Sequence, residues 1–291
     1  AYYNTAAIGT TDLLKIRAGM RMQWVGIDNA PRTFLAIADM PFKLFNKRFG
    51  VGLVMQQESL GLFKNMNIGA QIAYKQKLFK GTLSIGAQIG FFDQSFKGSE
   101  VYIPDDDDYH QSTDEAIPQQ DIRGNAFDLG LGLFYTHRWF WAGLSATHLN
   151  SPSVKLDAET GENGNERNYE FNLGRTLYFM AGSNIPVKNT LFEVLPSVLV
   201  KTDFTFTTWE ATARVRYNKF LTGGFGYRWK DAAYVVLSAE FKGFYIGYSY
   251  DYPTSAIAKA SSGSHEIFAG YSLKLDLGEK NKHRHKSVRI M

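Results

Sequence analysis

The chain contains no cysteine. A disulfide framework and any thiolate metal site are therefore excluded. It also lacks a run of 18 or more apolar residues, so the sequence predicts no transmembrane helix. Proline is sparse, at 8 of 291 residues. No Walker lysine follows the glycine-rich stretch Gly223-Gly224-Phe225-Gly226, which reads as a closely packed strand. Zinc-finger, helix-turn-helix and RNP-like patterns are missing too, so nucleic acid is not an expected partner.

Aromatic residues and glycine are abundant. There are 22 Phe, 16 Tyr, 5 Trp and 27 Gly. Aromatics favour strands, and glycine suits tight turns and crowded interior faces. Mean hydropathy is only -0.25. Strands that alternate between lipid and a wet interior dilute the average in this way.

The alternation is visible directly. Leu83, Ile85, Ala87, Ile89 and Phe91 share one face, and Thr82, Ser84, Gly86, Gln88 and Gly90 the other. Residues 66–75, 209–218 and 243–252 repeat the pattern. Ionised side chains on the polar faces are costly against lipid and tolerable in a lumen. Gln71, Gln88, Glu210, Arg214, Arg216 and Arg228 are the candidate luminal residues.

The reading is an all-β chain, a transmembrane antiparallel β-barrel of about 14 strands. The predicted strands are 13–27, 32–40, 48–58, 64–78, 81–93, 124–136, 138–149, 173–184, 190–202, 206–218, 220–230, 232–241, 243–252 and 264–275. With strands alternating in direction, the long connections 94–123, 150–172 and 253–263 fall at one end. The short ones near 79–80, 137, 185–189, 219 and 242 fall at the other. Outer-membrane barrels have long extracellular loops and short periplasmic turns, so both termini are expected in the periplasm. The expected organisation is an N-terminal periplasmic segment 1–12, a barrel 13–275 and a basic periplasmic tail 276–291. The start at Ala1-Tyr2-Tyr3-Asn4, without an initiator Met, reads as processed or truncated.

Candidate chemistry is thin. The acidic run Asp105–Asp108 does not match the ligand spacing of an EF-hand and reads as a solvated or partner-facing loop. His137 and His148 sit near opposite ends of one predicted strand, too far apart to share a metal. His265 and Glu266 are neighbours on a strand and so point to opposite faces. No catalytic residue, metal site or cofactor is expected. The 150–172 connection reads as a flexible polar loop. The tail 279–291 carries three Lys, two Arg and two His, with Lys282, Arg284, Lys286 and Arg289 as candidate partner contacts. The 253–263 loop binds a partner, narrows the lumen, or only seals its hairpin; its candidate residues are Pro253, Lys259, Ser261, Ser262 and Gly263, with His265 and Glu266 following.

Three stretches carry a family resemblance. Tyr248-Ser249-Tyr250-Asp251-Tyr252-Pro253 is similar to the penultimate strand of the PorP/SprF outer-membrane proteins of Bacteroidota, and Ser261-Ser262-Gly263-Ser264-His265-Glu266 with Ala269-Gly270-Tyr271 to their last strand. The opening Ala1-Tyr2-Tyr3-Asn4 with Gly9-Thr10 resembles the end of their N-terminal motif, although Tyr3 to Ile8 depart from its commoner form. The resemblance implies a non-enzymatic part in type IX secretion, which supports surface attachment, protease secretion and, in some species, gliding motility. The implied partners, besides outer-membrane lipids, are a ring lipoprotein and a periplasmic peptidoglycan-binding component, or the translocon plus a secreted surface protein. A stand-alone channel for small solutes or hydrophobic molecules is the competing reading. An outer-membrane hydrolase or a soluble β-rich protein are weaker ones.

Overall fold

A computed structural model describes residues 2–101, 118, 120–160 and 166–275. Its strands are β1 (Leu13–Met22), β2 (Arg32–Leu44), β3 (Lys47–Leu60), β4 (Phe63–Leu78), β5 (Gly81–Lys97), β6 (Asp121–Thr136), β7 (Phe140–Thr147), β8 (Ser153–Thr160), β9 (Glu166–Asn172), β10 (Thr176–Ser183), β11 (Ile185–Pro186), β12 (Phe192–Thr202), β13 (Thr207–Tyr217), β14 (Leu221–Arg228), β15 (Ala232–Phe241), β16 (Phe244–Pro253) and β17 (Ser264–Lys274). Fourteen of them form a closed antiparallel barrel. β1 pairs with β17, and β10 pairs with β12, so the wall has no open edge. Closure satisfies every strand's backbone groups, which lipid requires. β8 and β9 form a separate hairpin, and β11 is a short addition to β12.

Register carries the sequence alternation into space. Ile72, Ile85, Ile89, Leu131, Leu144, Val235, Leu237, Ile246 and Ile267 are exposed on the outer face. Their strand neighbours Gln71, Ser84, Gln88, Ser145 and Ser249 are buried on the inner face. The outer apolar band ends in two aromatic belts. One includes the Phe42, Phe49 and Tyr74 series, Tyr135 with Phe140, and Phe244 with Tyr271. The other includes Phe91 with Phe127 and Trp209 stacked on Trp229. Such belts mark the two lipid–water interfaces of a barrel. Ile89→Arg, on the outer face at the middle of β5, should therefore destabilise the folded barrel by roughly 2–4 kcal/mol. Urea unfolding from lipid vesicles measures this, and an unchanged midpoint would place that face away from lipid.

Three hairpins at one end use two-residue turns in which both residues have positive φ: Phe45 and Asn46 (48° and 58°), Phe79 and Lys80 (47° and 62°), and Lys242 and Gly243 (49° and 88°). This geometry matches the strand twist.

Several expected boundaries shift. The strand expected over 13–27 ends at Met22, because Trp24 and Gly26 take positive φ and the chain turns. β5 runs to Lys97 and β6 starts at Asp121, since the ladder continues past the lipid band through Lys97 opposite Asp121. The 150–172 connection, read as a flexible polar loop, instead contains the β8–β9 hairpin. Val154 is fully buried and sits against Gly124, so an apolar anchor folds the hairpin onto β6.

The segment 1–12 does not stand apart from the barrel. Its described residues begin inside the lumen, make a short 3-10 turn at Thr5–Ala7, and descend along β4 to β7 before entering β1. Asn4, Thr5, Ala6 and Ile8 are all buried. Small residues on the inner wall leave room for this close approach.

Candidate functional site: the barrel lumen

The lumen is built from the N-terminal segment outward. Asn4 caps the 3-10 turn by accepting from the Ala6 amide at 2.8 Å. Its Nδ2 donates to the carbonyls of Leu133 and Leu144, at 2.9 and 3.3 Å, bridging β6 and β7. The Ser145 hydroxyl donates to the Tyr3 carbonyl. The Gly9 amide donates to Asp39 Oδ2 at 2.8 Å, and Asp12 pairs with Arg48.

A row of inward glycines accommodates this backbone. A Cβ on Gly86 would lie 2.5 Å from the Ala6 nitrogen, and one on Gly132 would lie 2.5 Å from Asn4 Oδ1. A Cβ on Gly50 would meet the Ile8 carbonyl at 2.7 Å. No side chain fits between the segment and the wall at these points. The glycine alternation on β3, β5 and β6 is a docking track for the chain's own N-terminus.

Beside this segment lies a cavity of about 800 Å³, lined by residues that include Tyr2, Tyr3, Tyr178, Glu210, Arg214 and Tyr234. Tyr2 donates to Gln56 Oε1 at 2.7 Å, and the Tyr3 ring lies 5.4 Å from that of Tyr178. An ion-pair network crosses the cavity wall. Arg228 reaches Glu210 at 3.2 Å, Asp231 at 3.0 Å and Asp251 at 3.5 Å. Arg21 reaches Asp251 at 2.8 Å and Glu266 at 3.5 Å. The network joins β1, β13, β14, β16 and β17, and through Asp251 it links β16 to β14 and to β1, strands that share no ladder.

Each candidate luminal residue projects inward. Gln71 donates to Gln88 Oε1 at 2.7 Å, and Gln88 lies over Gly69. Glu210 and Arg228 belong to the ion network. Arg216 pairs with Glu193 through Nε at 2.7 Å. Arg214 lines the cavity, and its buried Nε has no hydrogen-bond partner among the described residues.

The loop candidates do not converge. Pro253 ends β16 and is buried, and Lys259 is exposed in a 3-10 turn. Ser262 and Gly263 pair with Val25 through Ser262 N to Val25 O at 2.7 Å and Val25 N to Gly263 O at 2.8 Å. Ser261 Oγ accepts from the Gly263 amide at 3.0 Å. The loop thus extends the β17–β1 seam at the rim. His265 faces outward, with Nδ1 2.7 Å from the Tyr248 hydroxyl, while Glu266 faces the lumen. Lys282, Arg284, Lys286, Arg289 and the Asp105–Asp108 run lie outside the described residues.

Sequence reasoning missed Arg21, Tyr2, Tyr3 and Asn4. Arg21 was recognisable as an inward position two residues from Gly19, but no pattern marked the N-terminal residues. It also did not pair His148 with Asp128, whose Nδ1 and Oδ1 lie 3.0 Å apart. No cluster of three or more His, Asp or Glu able to hold a metal occurs among the described residues.

A closed barrel with an apolar outer band, two aromatic belts and a polar, charged lumen is a transmembrane β-barrel of the outer-membrane type. Solved structures agree on the fold. The translocator domain of the autotransporter NalP from Neisseria meningitidis shares 12% identity, with a TM-score of 0.50, covering 93% of this chain and 91% of that one. The CymD monoaromatic hydrocarbon channel shares 12% identity, with a TM-score of 0.51, covering 94% and 91%. No curated protein matches the sequence. The PorP/SprF family, described as type IX secretion system membrane proteins, matches residues 1–271, and the chain belongs to that family.

Proposed function

We propose that this barrel is a non-enzymatic docking or substrate-handling component of type IX secretion in the outer membrane, with its short-turn end and C-terminal tail in the periplasm. It holds periplasmic ring and peptidoglycan-binding partners, or assists export of particular substrates with C-terminal signals. The observation that supports docking over free permeation is the N-terminal segment inside the lumen. Residues 4–8 occupy space against β4 to β7 that a solute channel would keep wet. Their hydrogen bonds to both β6 and β7 make them part of the folded wall. The basic tail 276–291 supplies a periplasmic contact for an acidic partner.

Affinity purification of the full chain from detergent-solubilised outer membrane, with and without residues 279–291, tests this reading. Secretion-ring components should accompany the full chain and be depleted at least fivefold with the truncated one. Recovery of one large secreted protein and the translocon, unaffected by truncation, would assign the substrate-specific role. Recovery of neither, from a correctly inserted barrel, would overturn the proposal in favour of the solute channel.

A further inference from the structure

The two ends of the barrel differ in charge as well as in loop length. The six connections at the short-turn end are 45–46, 79–80, 137–139, 184–191, 218–220 and 242–243. They carry Lys80, Arg138, Lys188, Lys219 and Lys242, and no Asp or Glu. The opposite end carries Asp28, Glu100, Asp203 and Asp231 together with Arg175, Lys230 and Lys259 among its described connections, a mixed set.

On one side of the basic end, aromatic side chains stand at the turn tips. Phe45 is 88% exposed and Phe79 is 83% exposed. Both occupy left-handed backbone, which a bulky residue rarely adopts and where Asn or Gly is the ordinary choice. Neither ring packs against the barrel. Trp139, also exposed, continues the row at the next hairpin, with the Arg138 guanidinium 4.7 Å from its ring centre. Lys47, two residues after Phe45 at the start of β3, lies over Tyr74 at 5.5 Å.

The tips stand beyond the aromatic belt of this side. The belt on this side is formed by Phe42, Phe49 and Tyr74. Phe79 lies five residues beyond Tyr74 in the chain, roughly 16 Å along an extended strand. Between them the outward positions are the exposed polar Gln76 and the exposed apolar Leu78, so the apolar face thins before the β4–β5 hairpin turns.

We infer that the tips of the β2–β3, β4–β5 and β6–β7 hairpins form a docking surface for an acidic protein surface, with Phe45 and Phe79 as apolar anchors and Lys47, Lys80 and Arg138 as the charges that align it. Aromatic anchors supply the binding energy at such interfaces, and surrounding charges set orientation and on-rate. The partner is recognised by a carboxylate-rich face with apolar sockets. That this face is periplasmic rests on the functional reading above.

The test is photo-crosslinking in intact cells, with benzoylphenylalanine placed singly at positions 45, 79 and 204 of the full chain. Phe204 is a matched control: it is 75% exposed, has φ 71°, and sits beside Asp203 at the opposite end. Positions 45 and 79 should give the same protein adduct, absent at 204. The combined variant Lys47→Glu, Lys80→Glu, Arg138→Glu should lower its yield at least fivefold, with the barrel's heat-modifiable band on gels retained. The adducted protein, identified by mass spectrometry and purified, should bind the barrel in nanodiscs at least tenfold more weakly in 0.5 M than in 0.05 M salt. Adducts to lipid only, no adduct, or a protein adduct insensitive to charge reversal would overturn the inference. If secretion components still co-purify while these crosslinks fail, the docking surface alone is wrong. A charge-dependent adduct with a protein unrelated to secretion would leave the surface standing and remove the functional reading.

Discussion

Valine at both Gly86 and Gly132 should release residues 2–9 from the inner wall while the barrel stays closed. The contacts met by the added Cβ atoms are at 2.5 Å, to the Ala6 backbone nitrogen and to Asn4 Oδ1. At Gly86 the obstacle is backbone, which cannot yield as a flexible side chain does, and at Gly132 it is the Asn4 side chain, whose Nδ2 is tied to β6 and β7. The β5–β6 ladder, held by sixteen paired positions from Thr82 to Lys97, is the stiffer element, so the segment is what moves. Overpacking costs about 1–3 kcal/mol per site, and two sites acting on one short segment shift its bound population at least ~10-fold. The absence of cysteine makes the measurement clean. With a single Ala6→Cys reporter, maleimide labelling of the vesicle-inserted barrel should be slow in the parent and at least ~10-fold faster in the double-valine variant. Single-channel conductance should rise in parallel. An unchanged labelling rate in a folded barrel would show that the segment is not held by the glycine track.

The second large effect is expected at Arg228. Its guanidinium faces Glu210, Asp231 and Asp251, and the Asp251 side chain is only 4% exposed. Arg228→Met leaves carboxylates facing one another in a partly desolvated wall. Removing one partner of a buried pair costs about 3–5 kcal/mol, and the one-quarter exposure of Arg228 and Glu210 places the expectation near the lower figure. Adding Glu210→Gln should recover part of the loss by removing one uncompensated charge, while Asp251 keeps Arg21 at 2.8 Å. Urea unfolding from vesicles measures both variants. Equal stability of Arg228→Met and the parent would mean that the network is solvated and contributes little to the barrel.

Much of the barrel was legible because a strand's side chains alternate with a period of two. That one rule separates Ile85, Ile89 and Ile246 from Gln88, Ser249 and Asp251 in the sequence alone. It also assigned Gln71, Glu210, Arg214, Arg216 and Arg228 a common polar side, and every one projects inward. The rule failed where side-chain alternation stops being informative. Val154 and Leu156 are too short an apolar alternation to mark a strand among polar residues, and only their pairing with Phe171 and Tyr169 and the burial of Val154 against Gly124 show that β8 and β9 form a hairpin on β6.

What the sequence by itself determined was the wall: strand number, the two faces, the contrast between short and long connections, and the family. These depend on local periodicity and on short motifs, which a linear reading contains. Only the tertiary structure decided what the wall encloses. Asn4 contacts carbonyls 129 and 140 residues away, and Arg21 meets Asp251 across 230 residues of chain. Such contacts have no period. They exist because closing the sheet brings β1 beside β17 and makes a convex sequence of hairpins into one interior, where the glycines of three strands line up under a segment that carries no strand signal of its own.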